Sequence, residues 1–237
     1  MKKLFIRKII HVFMPLFVFA IIYFTYNNNY ANNVILPFGR VTDIDGNTYN
    51  TLKIGRQEWM LDNLNVSRYQ NGDPIINITD YDKWNYSTIG AWSYYENNKK
   101  KYEKIYGKLY NWYAVNDKRG LAPKGWHIPS SDEWKELNEY LGGEMMAGTL
   151  IKTYSRLSHL RYGEGEGWDP IYFFSGSRYL SGAFCFTMYH AYFWTISRKD
   201  NIQSRYIRLS IYDSMVYNDY NFNNVGMSVR CIKDANK

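Results

Sequence analysis

The chain has 237 residues, 46% of them hydrophobic and 22% charged, which excludes wholesale disorder and suffices for one large domain with a real core. Two Cys exclude a disulfide-dense scaffold and an all-Cys metal knuckle. The unusual feature is aromatic content: Tyr 24, Phe 12 and Trp 8.

Residues 1–8 carry Lys2, Lys3, Arg7 and Lys8 and no acid. Residues 9–26 follow with only His11 as a possible charge and, as a helix, would be roughly 27 Å long, close to the hydrocarbon thickness of a bilayer. The basic head predicts a cytoplasmic N-terminus and an exported remainder. The expectation is therefore an uncleaved transmembrane anchor over 9–26, with a cleaved signal peptide as the competing reading. No Cys near this segment offers a lipid acceptor. Without the four basic residues of the head, the chain holds 25 basic and 22 acidic groups, a net of +3. A nucleic-acid partner loses its main support on that count. The Asn-rich stretch after 26 predicts a tether over 27–40.

The first folded elements are a strand over 41–44, a turn at Asp45-Gly46-Asn47 and a strand over 48–54. Gly55-Arg56 fits a two-residue turn into a third strand over 57–61. Residues 71–74, Asn-Gly-Asp-Pro, mark a reversal. Lys99, Lys100 and Lys101 read as a solvated loop. Leu109, Trp112 and Tyr113 stand at helical spacing, which predicts a short buried helix over 106–115. The strongest helix signal covers 131–141. Ser130 with Glu133 three residues on makes a capping box, Trp134, Leu137 and Leu141 form the apolar stripe, and Gly142-Gly143 stops the helix. A weaker helix covers 144–151. Strands are then expected over 171–174, 183–188, 192–196, 205–211 and 227–232. The pattern predicts an α+β domain over 41–234 with antiparallel sheet and two or three short helices.

Five ordered segments carry a family resemblance: DIDGNTY at 43–49, IGRQEWM at 54–60 with Asn63-Leu64, YGKLYNWYAV at 106–115, PKGWHIP at 123–129, and GMSVRC at 226–231. Together they resemble the Fibrobacter succinogenes major paralogous domain, over about 41–234. The resemblance implies a C-type-lectin-like fold, similar to that of sulfatase-modifying-factor proteins, in which early and late strands pair. It also implies a bacterial surface or envelope location, usually with a lipid anchor, which this chain lacks the Cys to carry. Ala122 stands where members often have Cys, so the bond the family implies to Cys231 cannot form here.

Chemistry-bearing residues are sparse. Cys185 and Cys231 are either a disulfide closing a 46-residue loop or two free buried thiols. A thiol oxidoreductase of the formylglycine-generating type is the enzyme alternative, but its two thiols are near neighbours in sequence and these are far apart. His127 reads as an imidazole bonding a loop backbone rather than as a base or ligand; His159 and His190 are isolated. Glu164, Glu166 and Asp169 offer oxygens suited to Ca²⁺, against the plainer reading of a solvated acidic loop. No other cofactor is expected. The sequons at Asn65, Asn77 and Asn85 read as idle.

The most informative stretch is 212–224, with three Tyr, four Asn and two Asp in thirteen residues. Tyr supplies stiff amphipathic contact area and Asn adaptable hydrogen bonds, a composition suited to recognition. The expected ligand-binding face is Tyr189, Tyr192, Trp194, Tyr212, Tyr217, Asn218, Tyr220 and Asn221, on loops, gripping a glycan or a protein without covalent chemistry. A purely architectural surface protein is the remaining alternative.

Overall fold

In the computed structural model, which describes residues 37–161 and 173–235, strand β1 (Phe38–Thr42) turns through Asp45-Gly46 into β2 (Thr48–Ile54), and Gly55-Arg56 turns β2 into β3 (Gln57–Met60). Asp43 closes the first turn: its carboxylate accepts from the Asp45 and Asn47 amides at 2.9 and 3.0 Å and from the Tyr49 hydroxyl. The ladder begins at Phe38, which pairs with Leu52. Residues 38–40 are thus strand rather than the end of the expected tether.

The chain continues through β4 (Ile76–Asn77), α1 (Tyr81–Asn85), β5 (Ala91–Ser93), α2 (Lys99–Tyr106), β6 (Leu109–Tyr110) and α3 (Trp112–Val115). The helix expected over 106–115 is therefore three pieces. Gly107 at φ +64° ends α2, and a Cβ there would come within 2.8 Å of the Leu64 carbonyl. Asn111 then starts α3 by accepting from the Ala114 amide at 3.1 Å, while also accepting from Ala91 at 2.9 Å. Lys99–Lys101, expected in a loop, form the first turn of α2, capped by Asn98.

Next come β7 (Trp126–His127), α4 (Ser131–Tyr140) and α5 (Glu144–Arg161). The capping box is formed as expected: the Glu133 amide donates to Ser130 Oγ at 3.2 Å, and Glu133 Oε2 accepts from the Ser130 amide at 2.7 Å. Helix α5 runs well beyond the expected 144–151, and five α-helices stand among the described residues instead of two or three short ones.

The last third holds β8 (Ser177–Arg178), β9 (Phe184–Cys185), β10 (His190–Arg198), β11 (Gln203–Ser210), β12 (Val216–Phe222) and β13 (Ile232–Lys233). Of the strand expected over 227–232 only its end joins a ladder; Met227 and Ser228 make isolated bridges to Tyr110 and Phe193. No strand forms at 173–174.

The fold is α+β. A five-stranded sheet has the order β1-β2-β3-β13-β7, so the last strand lies between the early β3 and β7, with Ile232 opposite Trp59 and His127. A second sheet, β10-β11-β12, is antiparallel throughout. Two small sheets complete the set, and β4-β5 is a parallel pair. The core joins Tyr110, Trp112, Trp126, Trp194, Met227 and Val229. Arg178, fully buried, donates to the carbonyls of Ile78, Thr79, Asp80 and Gly182 and lies 4.2 Å from the Trp84 ring centroid. No helix among the described residues is long and apolar enough to cross a membrane. The expected anchor at 9–26 and the acidic cluster of Glu164, Glu166 and Asp169 lie outside them.

Candidate functional site

Strand β11 lies between β10 and β12, and the register decides which side chains share a face. Tyr192, Arg208 and Tyr217 form one cross-strand row, and Trp194, Tyr206 and Asp219 the next. Successive side chains point to opposite faces. Phe193, Ile207 and Asn218 therefore lie on the other side, with the pair Arg205 and Tyr220.

This register divides the expected binding face. The stretch 212–224 is not a loop: most of it is the edge strand β12. Tyr217 and Asn221 lie on one side of the sheet, Asn218 and Tyr220 on the other. Each tyrosine has a cation partner directly opposite, Arg208 at 3.9 Å from the Tyr217 centroid and Arg205 at 4.4 Å from that of Tyr220. Tyr192 and Trp194 are corrected to core residues, at 8% and 0% exposure. Trp194 Nε1 donates to the Tyr110 carbonyl at 3.0 Å, so this indole holds two strand systems together.

Two expected residues do meet in the open. Tyr189 and Tyr212 stack at 5.9 Å with ring planes 11° apart, and Tyr212 is 73% exposed. His190 meets the Tyr212 ring edge-on at 6.4 Å and the Phe186 ring at 5.6 Å; Phe186 in turn contacts Tyr179 at 6.3 Å. Phe186, Met188, Tyr179 and Ile211 are all exposed. The result is a run of rings at the end of the β10–β11 pair, with Arg208 and Tyr217 behind it.

The backbone presents this run deliberately. Phe186 and Met188 both have positive φ, at 59° and 67°. For residues with a Cβ the left-handed region costs about 1–2 kcal/mol each. Gly176 makes room for the turn: a Cβ there would lie 2.3 Å from the Cys185 carbonyl. On the other side, Lys152 of α5 donates to the Ser210 and Asp213 carbonyls, both at 2.7 Å, and fixes the loop bearing Tyr212. Gly148 allows the close approach, with its amide donating to the Ser214 carbonyl at 3.0 Å.

Two titratable groups here, His190 and Tyr217, are shifted toward their neutral forms. Burial, then the nearby Arg208, pushes the His190 imidazole below its ordinary value, and its Nδ1 has no hydrogen-bond partner among the described residues. The hydrogen bond to Asp213, at 2.9 Å, holds the Tyr217 phenol above its ordinary value. Phe186, Met188, Tyr179 and Arg208 were missed in the sequence because no local pattern ties them to Tyr189 and Tyr212.

The remaining expected residues sit elsewhere. Cys185 and Cys231 are both free, and burial raises both thiols above their ordinary value. Cys185 Sγ lies 3.4 Å from Ser177 Oγ, and Cys231 is sealed in the core. His127 bonds carboxylates rather than loop backbone: Nδ1 is 2.7 Å from Asp234 and Nε2 is 2.7 Å from Glu133. Burial lowers this imidazole, but the bonds to Glu133 and Asp234 outweigh it, and the net shift is upward. Among the described residues no three His, Cys, Asp or Glu side chains form a metal-holding group.

A family model described as the Fibrobacter succinogenes major domain matches residues 52–233. The chain belongs to this family. No curated protein and no solved structure matches the chain. The Fibrobacter succinogenes major domain starts inside β2, so β1 and the Asp43 turn precede the matched span, while the whole ring-bearing end lies within it. Its YGKLYNWYAV segment supplies a buried cation. Lys108 Nζ donates to Asn65 Oδ1 at 3.0 Å and lies 4.5 Å from the Trp92 centroid, and burial pulls its pKa down to about 8.

Proposed function

We propose that this chain is a non-catalytic recognition module of the bacterial cell envelope that holds a protein partner against the exposed rings at the end of the β10–β11 pair. The observation that carries this reading is the stacked pair Tyr189 and Tyr212, open to solvent and continuous with Phe186, Met188 and Ile211. Tyr, Phe, Met and Arg are the residues enriched at protein interfaces, and a patch mixing Phe, Met and Ile with Tyr suits a protein better than a wholly hydroxylated surface. Strained positions at Phe186 and Met188 support a functional demand on this turn, because such conformations persist where the surroundings impose them.

The high thiol pKa values weigh against the thiol oxidoreductase alternative, since a thiolate is the reactive form. Residues 1–26, a basic head followed by an apolar run, support a membrane anchor with the domain exported. Pairing of the early β3 with the late β13 supports the C-type-lectin-like class.

The test is to compare the full chain with a Tyr189→Ala/Tyr212→Ala variant for capture of envelope proteins, with a glycan screen in parallel. The reading expects defined proteins captured by the parent and lost by the variant, with no glycan signal dependent on these two rings. Equal capture by both chains would end it.

A further inference from the structure

Residues 63–65 and 106–108 run side by side. Asn63 Nδ2 donates to the Tyr106 carbonyl at 3.1 Å, and the Lys108 amide donates to the Leu64 carbonyl at 3.2 Å. This contact brings the Lys108 side chain onto Asn65. Lys108 Nζ donates to the Asn65 backbone carbonyl and, at 3.0 Å, to Oδ1 of the Asn65 carboxamide. Lys108 is 2% exposed, with the Trp92 and Tyr94 ring centroids 4.5 and 5.1 Å from Nζ. Asn65 is fixed in turn, since its backbone amide donates to the Tyr49 hydroxyl at 2.9 Å.

Glu103 of α2 completes the group. Its carboxylate accepts from the Asn65 carboxamide and, at 2.7 Å, from the Tyr94 hydroxyl. An amine, a primary amide and a carboxylate thus meet in one aromatic-walled corner. The two oxygens that accept from the ammonium are neutral amide oxygens, and a cation buried in that way costs free energy.

We propose that Lys108 and Asn65 condense into an intramolecular isopeptide bond, with Glu103 moving the proton. The neutral amine attacks, so the bond from Lys108 Nζ to Asn65 Cγ forms and the Cγ–Nδ2 bond breaks. One of the two amine hydrogens passes through Glu103 to Nδ2, which leaves as ammonia. In water the ammonia takes up the proton that the ammonium gave up, so no oxidant or co-reactant is consumed. The product replaces a buried charge by a neutral amide and ties the chain after β3 to the start of β6.

The surroundings suit each step. Burial brings Lys108 down to about 8 against the opposing pull of Glu103, Asp45 and Asp43, so about a tenth of it is neutral amine at pH 7. Burial raises Glu103, but the bonds from Tyr94 and Asn65 and the charge of Lys99 prevail and keep it ionised, as a base requires. Fixed contact between amine and amide makes the attack effectively unimolecular. Asn65 and Glu103 are half-buried and line a cavity of about 330 Å³, which gives ammonia its way out.

The test is mass spectrometry of the full chain in detergent, before and after trypsin. The parent is expected to weigh one ammonia, about 17 Da, less than its sequence requires, and Lys108→Met to show no such loss. Trypsin does not cut after an acylated lysine, so the parent digest is expected to hold residues 57–68 joined to residues 105–118. Glu103→Gln keeps both reacting groups and is expected to lower the joined fraction at least tenfold. Where that variant fails to fold, the parent digest alone decides. A parent of full mass, with 57–68 and 105–108 released as separate unmodified peptides, overturns the proposal. A Glu103→Gln chain joined as fully as the parent overturns the proton transfer through Glu103.

Discussion

The Arg208 guanidinium lies 3.9 Å from the Tyr217 ring centroid, across a strand pair in which the two residues are direct partners. Tyr217 is thereby stiffened on the face that leads to the stacked pair Tyr189 and Tyr212, whereas Tyr220, three residues on, serves the opposite face with Arg205. Such a contact at an exposed site is worth about 0.5–1 kcal/mol.

The first prediction follows from that division. Tyr217→Ala is expected to weaken partner binding by more than about 1 kcal/mol, as an aromatic hot spot does, and Tyr220→Ala to leave it unchanged. Titration calorimetry of both variants against the captured partner checks this. Equal losses would mean that the two faces act as one surface.

The second separates core from surface among residues that look alike in the sequence. Trp194→Ala removes a fully buried indole and is expected to cost about 3–5 kcal/mol in urea unfolding. Tyr212→Ala is expected to stay within about 0.5 kcal/mol of the parent. Denaturation midpoints of the two variants decide it.

The third concerns the Glu133, His127 and Asp234 clip. His127 is raised above its ordinary 6.5, so its contribution is complete below 6.5 and fades as pH rises through the folded value. Glu133 is lowered below its ordinary 4.5: burial opposes this, but bonds from Ser130 and His127 prevail, so its contribution is complete above 4.5 and fades as pH falls through the folded value. The Tm difference between the parent and His127→Gln is therefore expected to peak between the ordinary values of 4.5 and 6.5 and to shrink on the alkaline side. A difference independent of pH would reduce the clip to packing.

The fourth concerns the thiols. Dithiothreitol is expected to leave Tm unchanged, and a maleimide to label Cys231 only after urea unfolds the chain. A fall in Tm on reduction would restore the disulfide between Cys185 and Cys231.

Local chemistry was legible in the sequence. The Asp45-Gly46 turn, the Gly55-Arg56 turn and the Ser130–Glu133 capping box each depend on residues within a few positions of one another. Side-chain bonding at a distance was not. Asn111 divides the expected helix over 106–115 because its carboxamide serves Ala91, twenty residues upstream, as well as Ala114. Strand β12 hid because its alternation has almost no hydrophobic contrast: between Val216 and Phe222, both faces carry only Tyr, Asn or Asp. Composition marked 212–224 as a contact region, but only the register with β11 shows that its tyrosines look opposite ways. Tyr189 and Tyr212 were both in the expected set, and the turn that exposes Phe186 and Met188 beside them depends on the distant Gly176.

The central claim is that the open rings grip a partner, and the most direct measurement is the affinity of the full chain for its captured envelope protein before and after Tyr189→Ala/Tyr212→Ala. Loss of at least about 2 kcal/mol, with the urea midpoint unchanged, is the predicted result. An affinity that survives removal of both rings would contradict it.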